Sequence, residues 1–512
     1  MDLAAAIVTT PTAPADWLVI APVVVPLLTG ALLLTIRHHM RIHGVVALAG
    51  LALSAVCSAL LLARVLAEGP IVMTMGRWLP PFGISFTADT LGALFALTAS
   101  IAGIVCGLYS LHDIDMAGRR YGFYPFLMLM MAGVGGAFLT GDIFNLYVWF
   151  EVFVISSFGL LVVGDDESRI DGAVKYAILN LIATTLFLIA TGYLYGVFGT
   201  LNMADLVGKI TAAGPDAPMM TLATLYLVAF GMKAAAFPLN FWLPASYHTP
   251  RVVTSALFGG LLTKVGIYAL LRVLVMIMPA ERLVLAPLIG WAAAATMILG
   301  VVCALAQSDM RRMLGFVLIS GIGVMLAGLA IGGVDGLSGA ILYAIHSMLV
   351  TTALYLLAGL IGMQGGGFLL QRLSGLYDAA PMLAGAALLL AFAIAGLPPG
   401  SGLWPKVALV KASLDAGAGW LAAAILVSSL LTTIAFGRVF LLAFWRAKGE
   451  VEALEGTRRP PPLTFVALAI LVLSSLAMGL YPEPFLGAAR YAAAGLIEPS
   501  RYVEAVFPGG VR

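Results

Sequence analysis

Apolar residues run along this chain for about twenty positions at a time, with neither a two-residue alternation nor a one-sided helical stripe. Such runs lie at 17–36, 43–67, 88–111, 122–140, 142–163, 172–197, 219–244, 250–277, 283–306, 311–332, 338–363, 382–411, 415–444 and 462–482. Each has the roughly 20-residue length a bilayer demands of a helix. Runs that are apolar all round and rich in alanine and leucine predict helices; a membrane barrel would show ten-residue alternation instead. The expected fold is therefore an all-α polytopic membrane protein with about fourteen transmembrane helices, here called spans 1–14. Connections are short. Three pieces are left outside the bilayer: 69–87, where GPIVMTMGRWLPPFGISF predicts a β-hairpin, 446–461, and the tail after 483.

Composition agrees with this pattern. Apolar residues make up 62% of the chain and charged residues 10%, which no soluble fold tolerates. A net charge of +2 argues against a nucleic-acid partner. The opening MDLAAAIVTTPTAPAD has no basic segment ahead of an apolar one, so no cleavable signal peptide is expected and span 1 would direct insertion. Cys57, Cys106 and Cys303 fall singly in apolar runs, giving neither a disulfide framework nor a metal cluster. Lysine and arginine set the orientation. With Arg37 and Arg41 cytoplasmic, the same side collects Arg119, Arg120, Arg169, Lys175, Arg251, Arg311, Arg312, Arg372, Arg438, Arg446, Lys448, Arg458 and Arg459. The other side keeps Arg64, Arg77, Lys209, Arg272, Arg282, Lys411 and the tail arginines, and both termini are expected outside.

Lys233, Lys264 and Lys406 fit neither side, because each lies well inside an apolar run. A charge at that depth costs on the order of 2.5–3.5 kcal/mol and marks a functional site by default. The chain uses more arginine than lysine, yet every base at mid-membrane depth is lysine. Arginine stays protonated in any protein, whereas a buried lysine can lose its proton. A structural counter-charge can be either residue; a proton carrier must be lysine.

Two of the lysines adjoin helix breakers. Span 7 reads GMKAAAFPLNFWLP and span 12 reads AIAGLPPGSGLWPKVALV. Prolines remove helix hydrogen bonds, and bilayers tolerate this only where protein or water surrounds the break. Interrupted helices at corresponding places in two halves point to inverted repeats around a midplane ion path. Spans 4–8 and 9–13 would be the repeats, with Lys233 and Lys406 as equivalents. The expected division is 1–121 (spans 1–3), 122–277 (first repeat), 283–444 (second repeat) and 445–512 (span 14 and tail). Glu151 in span 5 is the acidic residue well inside an apolar run, and near a lysine it would stay charged. His346 in span 11, with an unperturbed pKa of about 6.5, suits a relay between lysines, although a lone histidine in an apolar helix is also a common core residue.

Long ordered motifs accompany these residues: KYAILNLIATTLFLIATGYLYGVFGT in span 6, FPLNFWLPASYHTPRVVTSALFGGLLTKVGIY across spans 7 and 8, and AQSDMRRMLGFVLISGIGVML at spans 9 and 10. In these the chain resembles, nearly end to end, the antiporter-like subunits shared by respiratory complex I and the multisubunit Mrp-type cation/proton antiporters. LTGDIFNLYVWFEVFVISSFGL is most similar to the D-type Mrp subunit, and the length agrees. The resemblance implies a proton-translocating subunit of a hetero-oligomeric antiporter in the bacterial inner membrane, exchanging H⁺ for Na⁺ (or K⁺, Li⁺). The alternative it leaves is a proton-pumping subunit of a complex I-type oxidoreductase. It implies Glu151 and Lys233 as an ion pair, Lys264 as central relay, His346 as the span 11 histidine and Lys406 as terminal site. Many relatives carry lysine five residues after that histidine, where this chain has Thr351, so water between His346 and Lys406 would have to complete the path. Cysteine clusters and nucleotide motifs are lacking, so no redox cofactor and no enzymatic reaction of its own are expected. No cluster of membrane carboxylates offers the oxygen cage a hard cation prefers, so Na⁺ is expected to cross elsewhere in the complex.

Overall fold

A computed structural model describes residues 7, 12–76, 78–163, 167–212, 214, 217–447 and 458–508. Arg77, Lys448, most of the 446–461 connection and residues 1–6 and 8–11 of the opening segment thus lie outside the described residues. The apolar runs become α1 (Ala21–Thr35), α2 (Met40–Glu68), α3 (Thr90–Asp113), α4 (Phe123–Leu139), α5 (Ile143–Val162), α6 (Glu167–Phe198) and a broken α7 with halves Met219–Ala234 and Trp242–Ser246. Then follow α8 (Val252–Ile277), α9 (Pro279–Leu305), α10 (Met310–Ile331), α11 (Gly333–Gly365), a broken α12 with halves Pro381–Ala395 and Leu403–Asp415, α13 (Gly419–Trp445) and α14 (Pro462–Leu480). Ten of these are long and apolar enough to cross a membrane, and four more are shorter apolar helices.

α8 and α11 are entirely buried over their most apolar stretches, while α2, α6, α13 and α14 keep most of theirs on the surface. The buried pair thus forms a spine clad by helices whose outer faces suit lipid. α8 packs on the first half of α7 and on α11, and α11 packs on both halves of α12. This order, α7–α8–α11–α12, is what lines up the membrane lysines.

Strands β1 (Ile71–Thr74) and β2 (Ser85–Ala88) form the expected hairpin, with Ile71 opposite Ala88. Around this hairpin end, Phe86 pairs with Thr140, and Asp142 at the start of α5 pairs with Asn202 after α6. The tail after 483 is no loop. It forms α15 (Glu483–Ile497) and α16 (Ser500–Val506), which pack against α11, α3 and the hairpin. At the opposite end, Asp309 at the start of α10 pairs with Leu369 after α11. One clasp there joins Arg251 to Asp115 at 2.8 Å. The Gly118 N–H, and then Arg251, hold the Asp115 carboxyl below its ordinary range, so this local stabilisation fades as pH falls through the acid range.

Arg272 corrects the charge count, in which it stood as a flanking residue. Its side chain is wholly buried and forms an ion pair with Asp89, while its Nε donates to Tyr268 Oη at 3.0 Å. Asp89 also caps α3 by accepting from the Gly92 amide at 2.9 Å. Removing one member of a buried pair strands the other charge, so Arg272→Met should destabilise the fold by about 3–5 kcal/mol. Adding Asp89→Asn should recover part of this loss, since asparagine still caps. Thermal unfolding in detergent reads both effects, and an Arg272→Met protein as stable as wild type would refute the assignment.

Candidate functional site

The two breaks are built by the same backbone device. Ala235, at φ 61°, follows the first half of α7, and the Ala236 amide reaches back to Gly231 O at 2.8 Å. Gly396, at φ 85°, follows the first half of α12, and the Leu397 amide reaches back to Phe392 O at 2.8 Å. Both are Schellman closures, a left-handed residue terminating the helix. Ala235 is the one non-glycine residue with positive φ among the described residues, a position where its β-carbon costs about 1–2 kcal/mol. Matching the closures sets Pro238 against Pro399 and Pro244 against Pro405. The same match sets Lys233 against Ile394 and Lys406 against Ala245, so the two lysines are not positional equivalents. Lys233 precedes its break and Lys406 follows its own.

Lys406 nevertheless returns to the break. Its Nζ donates to Ile394 O at 3.1 Å and to Ala395 O at 2.9 Å, satisfying the last carbonyls of the half-helix before it. A cation is favoured there, where helix carbonyls carry partial negative charge. A cleft of 650 Å³ runs from Lys406 and Gly396 along α12 and α13 to Lys411 and Asp415.

Lys233 lies in the last turn of its own half-helix and is 4% exposed. Its Nζ donates to Thr184 Oγ1 of α6 at 2.7 Å and sits 5.2 Å from the Phe150 ring centre. Phe150 stacks on Phe230, and Phe187 meets Phe230 edge-on at 4.7 Å, so aromatic rings wall the amine. The expected Glu151–Lys233 ion pair is not closed in this structure. Thr184 and the Phe150 ring occupy the ammonium, while Glu151 Oε1 is buried without a hydrogen-bond partner among the described residues. Glu151 lies on the α5 face that leaves Phe144, Val148 and Ile155 exposed.

Lys264 is fully buried in α8 and donates to Gly259 O at 2.5 Å. Gly259 belongs to a widened π-helical segment, Phe258–Leu262, an irregularity frequent at functional sites. Any β-carbon at Gly259 would come within 3.2 Å of Thr351 Cγ2. Thr351 therefore faces the turn whose carbonyl accepts from Lys264. His346 is fully buried, its Nδ1 2.7 Å from Ser401 Oγ, and within electrostatic reach of both Lys406 and Lys264.

Along the packed row the residues thus follow the order Glu151, Lys233, Lys264, His346, Lys406, with hydroxyls of Thr184 and Ser401 on the amine and the ring. Sequence reasoning missed these hydroxyls. A signal for one existed: YAILNLIATT in α6 and YAIHSMLVTT in α11 superpose Thr184 on Thr351. The same register superposes Asp142 on Asp309 and Asn202 on Leu369, the two backbone pairings at opposite ends of the molecule. Among the described residues no three His, Cys, Asp or Glu side chains converge as metal ligands would.

Residues 140–432 match the family model described as NADH:quinone oxidoreductase/Mrp antiporter, TM. The D-type Na(+)/H(+) antiporter subunit of Bacillus subtilis (strain 168) is 37% identical over 488 residues, covering 95% of this chain and 99% of that protein. A chain in the structure of the Mrp complex from Dietzia sp. DQ12-45-1b superposes with a TM-score of 0.90 at 29% identity, over 96% of this chain and all of that one. A chain of respiratory complex I from Thermus thermophilus superposes with a TM-score of 0.81 at 25% identity, over 94% of this chain and 99% of its own length.

Proposed function

The chain belongs to the NADH:quinone oxidoreductase/Mrp antiporter transmembrane family, and from that membership we propose a proton-translocating subunit of a multisubunit cation/proton antiporter. The observation that carries the choice is the similarity to a D-type antiporter subunit along nearly the whole of both chains. The work is transport rather than an enzymatic reaction, in a multi-pass protein of the bacterial membrane, with the hairpin end outside.

The proton path runs along α7, α8, α11 and α12. Glu151 sets the charge state at its start. Lys233 moves between Thr184 and the Glu151 carboxyl, carrying its proton along that path. Lys264 accepts next, shuttling its amine between Gly259 O and the interior. His346 passes the proton to Lys406, which delivers it to the cleft toward Lys411. Lysine suits the three amine stations because it exists in both charge states, which arginine does not. The matching breaks, and the α5/α6 and α10/α11 pairings at opposite ends, support the inverted repeats over 122–277 and 283–444. In that division 1–121 forms one flank and 445–512 the closing helix and tail.

Expression with its neighbouring genes in a host lacking its own Na⁺/H⁺ antiporters tests the reading. Purification in mild detergent should bring down several small membrane subunits, and everted vesicles should show cation-dependent proton movement. Co-purification with iron–sulfur and NADH-binding subunits instead would assign the chain to a complex I-type pump.

A further inference from the structure

The two ring nitrogens of His346 meet different surroundings. Nδ1 lies 2.7 Å from Ser401 Oγ, which lies 2.8 Å from Ser475 Oγ on α14. The Ser401 amide points at that same Ser475 oxygen at 3.5 Å. Both serines are buried. Nε2 is buried without a partner among the described residues. A β-carbon on Gly402 would come within 3.1 Å of Nε2, so glycine leaves that edge uncovered. The titratable groups that act on or touch the ring are Lys264 of α8, Lys406 of α12 and Tyr343 of α11, whose ring centre is 5.3 Å away.

We propose that Ser401 and Ser475 are positioning residues that fix the tautomer of His346, so that Nε2 alone takes and gives the proton passing between Lys264 and Lys406. This rests on the relay reading above. In the neutral ring Nδ1 carries the hydrogen and donates to Ser401 Oγ, and the Ser401 hydroxyl donates onward to Ser475 Oγ. The Nε2 lone pair is then left free at the edge that Gly402 uncovers. The opposite tautomer would put an N–H on Nε2, where no acceptor meets it among the described residues, a costly arrangement in a buried site. A proton leaving the Lys264 ammonium forms the Nε2–H bond and makes the ring imidazolium, leaving a neutral amine. The same bond breaks when the neutral Lys406 amine takes the proton, and the Nδ1–H bond persists throughout. The bond on one nitrogen thus decides the chemistry of the other.

The test uses the whole complex in everted vesicles at equal complex content. Ser401→Ala should slow exchange about tenfold, the weight of one hydrogen bond to a charged group. Ser475→Ala should slow it several-fold, and Ser475→Thr, which keeps the hydroxyl, should run near the wild-type rate. Neither alanine variant should slow a His346→Ala complex any further. A further loss from Ser401→Ala in that background would overturn the proposal, because the hydroxyl would be acting without the ring. A wild-type rate for Ser401→Ala beside a slow His346→Ala would also overturn it while leaving the relay intact. A wild-type rate for His346→Ala would remove both the relay role and the proposal.

Discussion

Lys233→Ala should abolish pH-dependent cation exchange, by about 100-fold or more, while the complex still assembles. In the proposed path the amine is the first station after Glu151, and among the described residues no other titratable side chain bonds to Thr184 Oγ1 in its place. Assembly should persist, because the substitution leaves one hydroxyl with a lost partner, a cost of about 1–3 kcal/mol. Glu151→Ala should fall to the same level for a different reason. The carboxylate makes no hydrogen bond through Oε1 among the described residues, so its loss removes a charge and little packing. Both are read as exchange rates in everted vesicles, normalised to complex content. A stably assembled Lys233→Ala complex running at the wild-type rate would sink the relay.

Lys406→Arg should fail nearly as badly as Lys406→Ala. The usual conservative swap preserves charge, and here charge retention is the defect, since a guanidinium does not release a proton at any physiological pH. Geometry adds to the loss. Lys406 Nζ fits two carbonyl oxygens at 3.1 and 2.9 Å, and a β-carbon on Gly396 would approach Lys406 Cδ to 2.6 Å, so the side chain runs close beside the break. Lys406→Ala removes the cation without adding the bulk of a guanidinium. Equal losses of about 100-fold in the two variants fit proton transfer, whereas an active arginine variant beside an inactive alanine would mark a structural cap for the half-helix.

How far the sequence reaches can be seen residue by residue. The apolar runs located the helices because a bilayer imposes one requirement, about twenty apolar positions with the backbone satisfied internally, and it leaves its mark on every span. The breaks of α7 and α12 were legible for a related reason: proline and glycine act through their own backbone chemistry, whatever surrounds them. Lys233, Lys264, Lys406, Glu151 and His346 stood out because polar groups at that depth are costly enough to be rare. Partners were another matter. Thr184 and Ser475 are ordinary residues of membrane helices, where serine and threonine usually satisfy the preceding turn of their own helix, and Ser401 is an ordinary turn residue in the break of α12. Nothing local distinguishes a threonine that holds a lysine from one that holds a carbonyl. The same holds for Arg272, which counting assigned to a flank and packing placed against Asp89, nearly two hundred positions away in the chain. Thr351 sits one turn from His346 in sequence, yet the rotation of α11 against α8 turns it toward Gly259. Sequence alone thus determined the helices, their interruptions and the titratable side chains, each fixed by the chemistry of a short segment in lipid. Tertiary structure decided which oxygen each amine meets, because hydrogen bonds reach about 3 Å and helix rotation and packing set every distance on that scale.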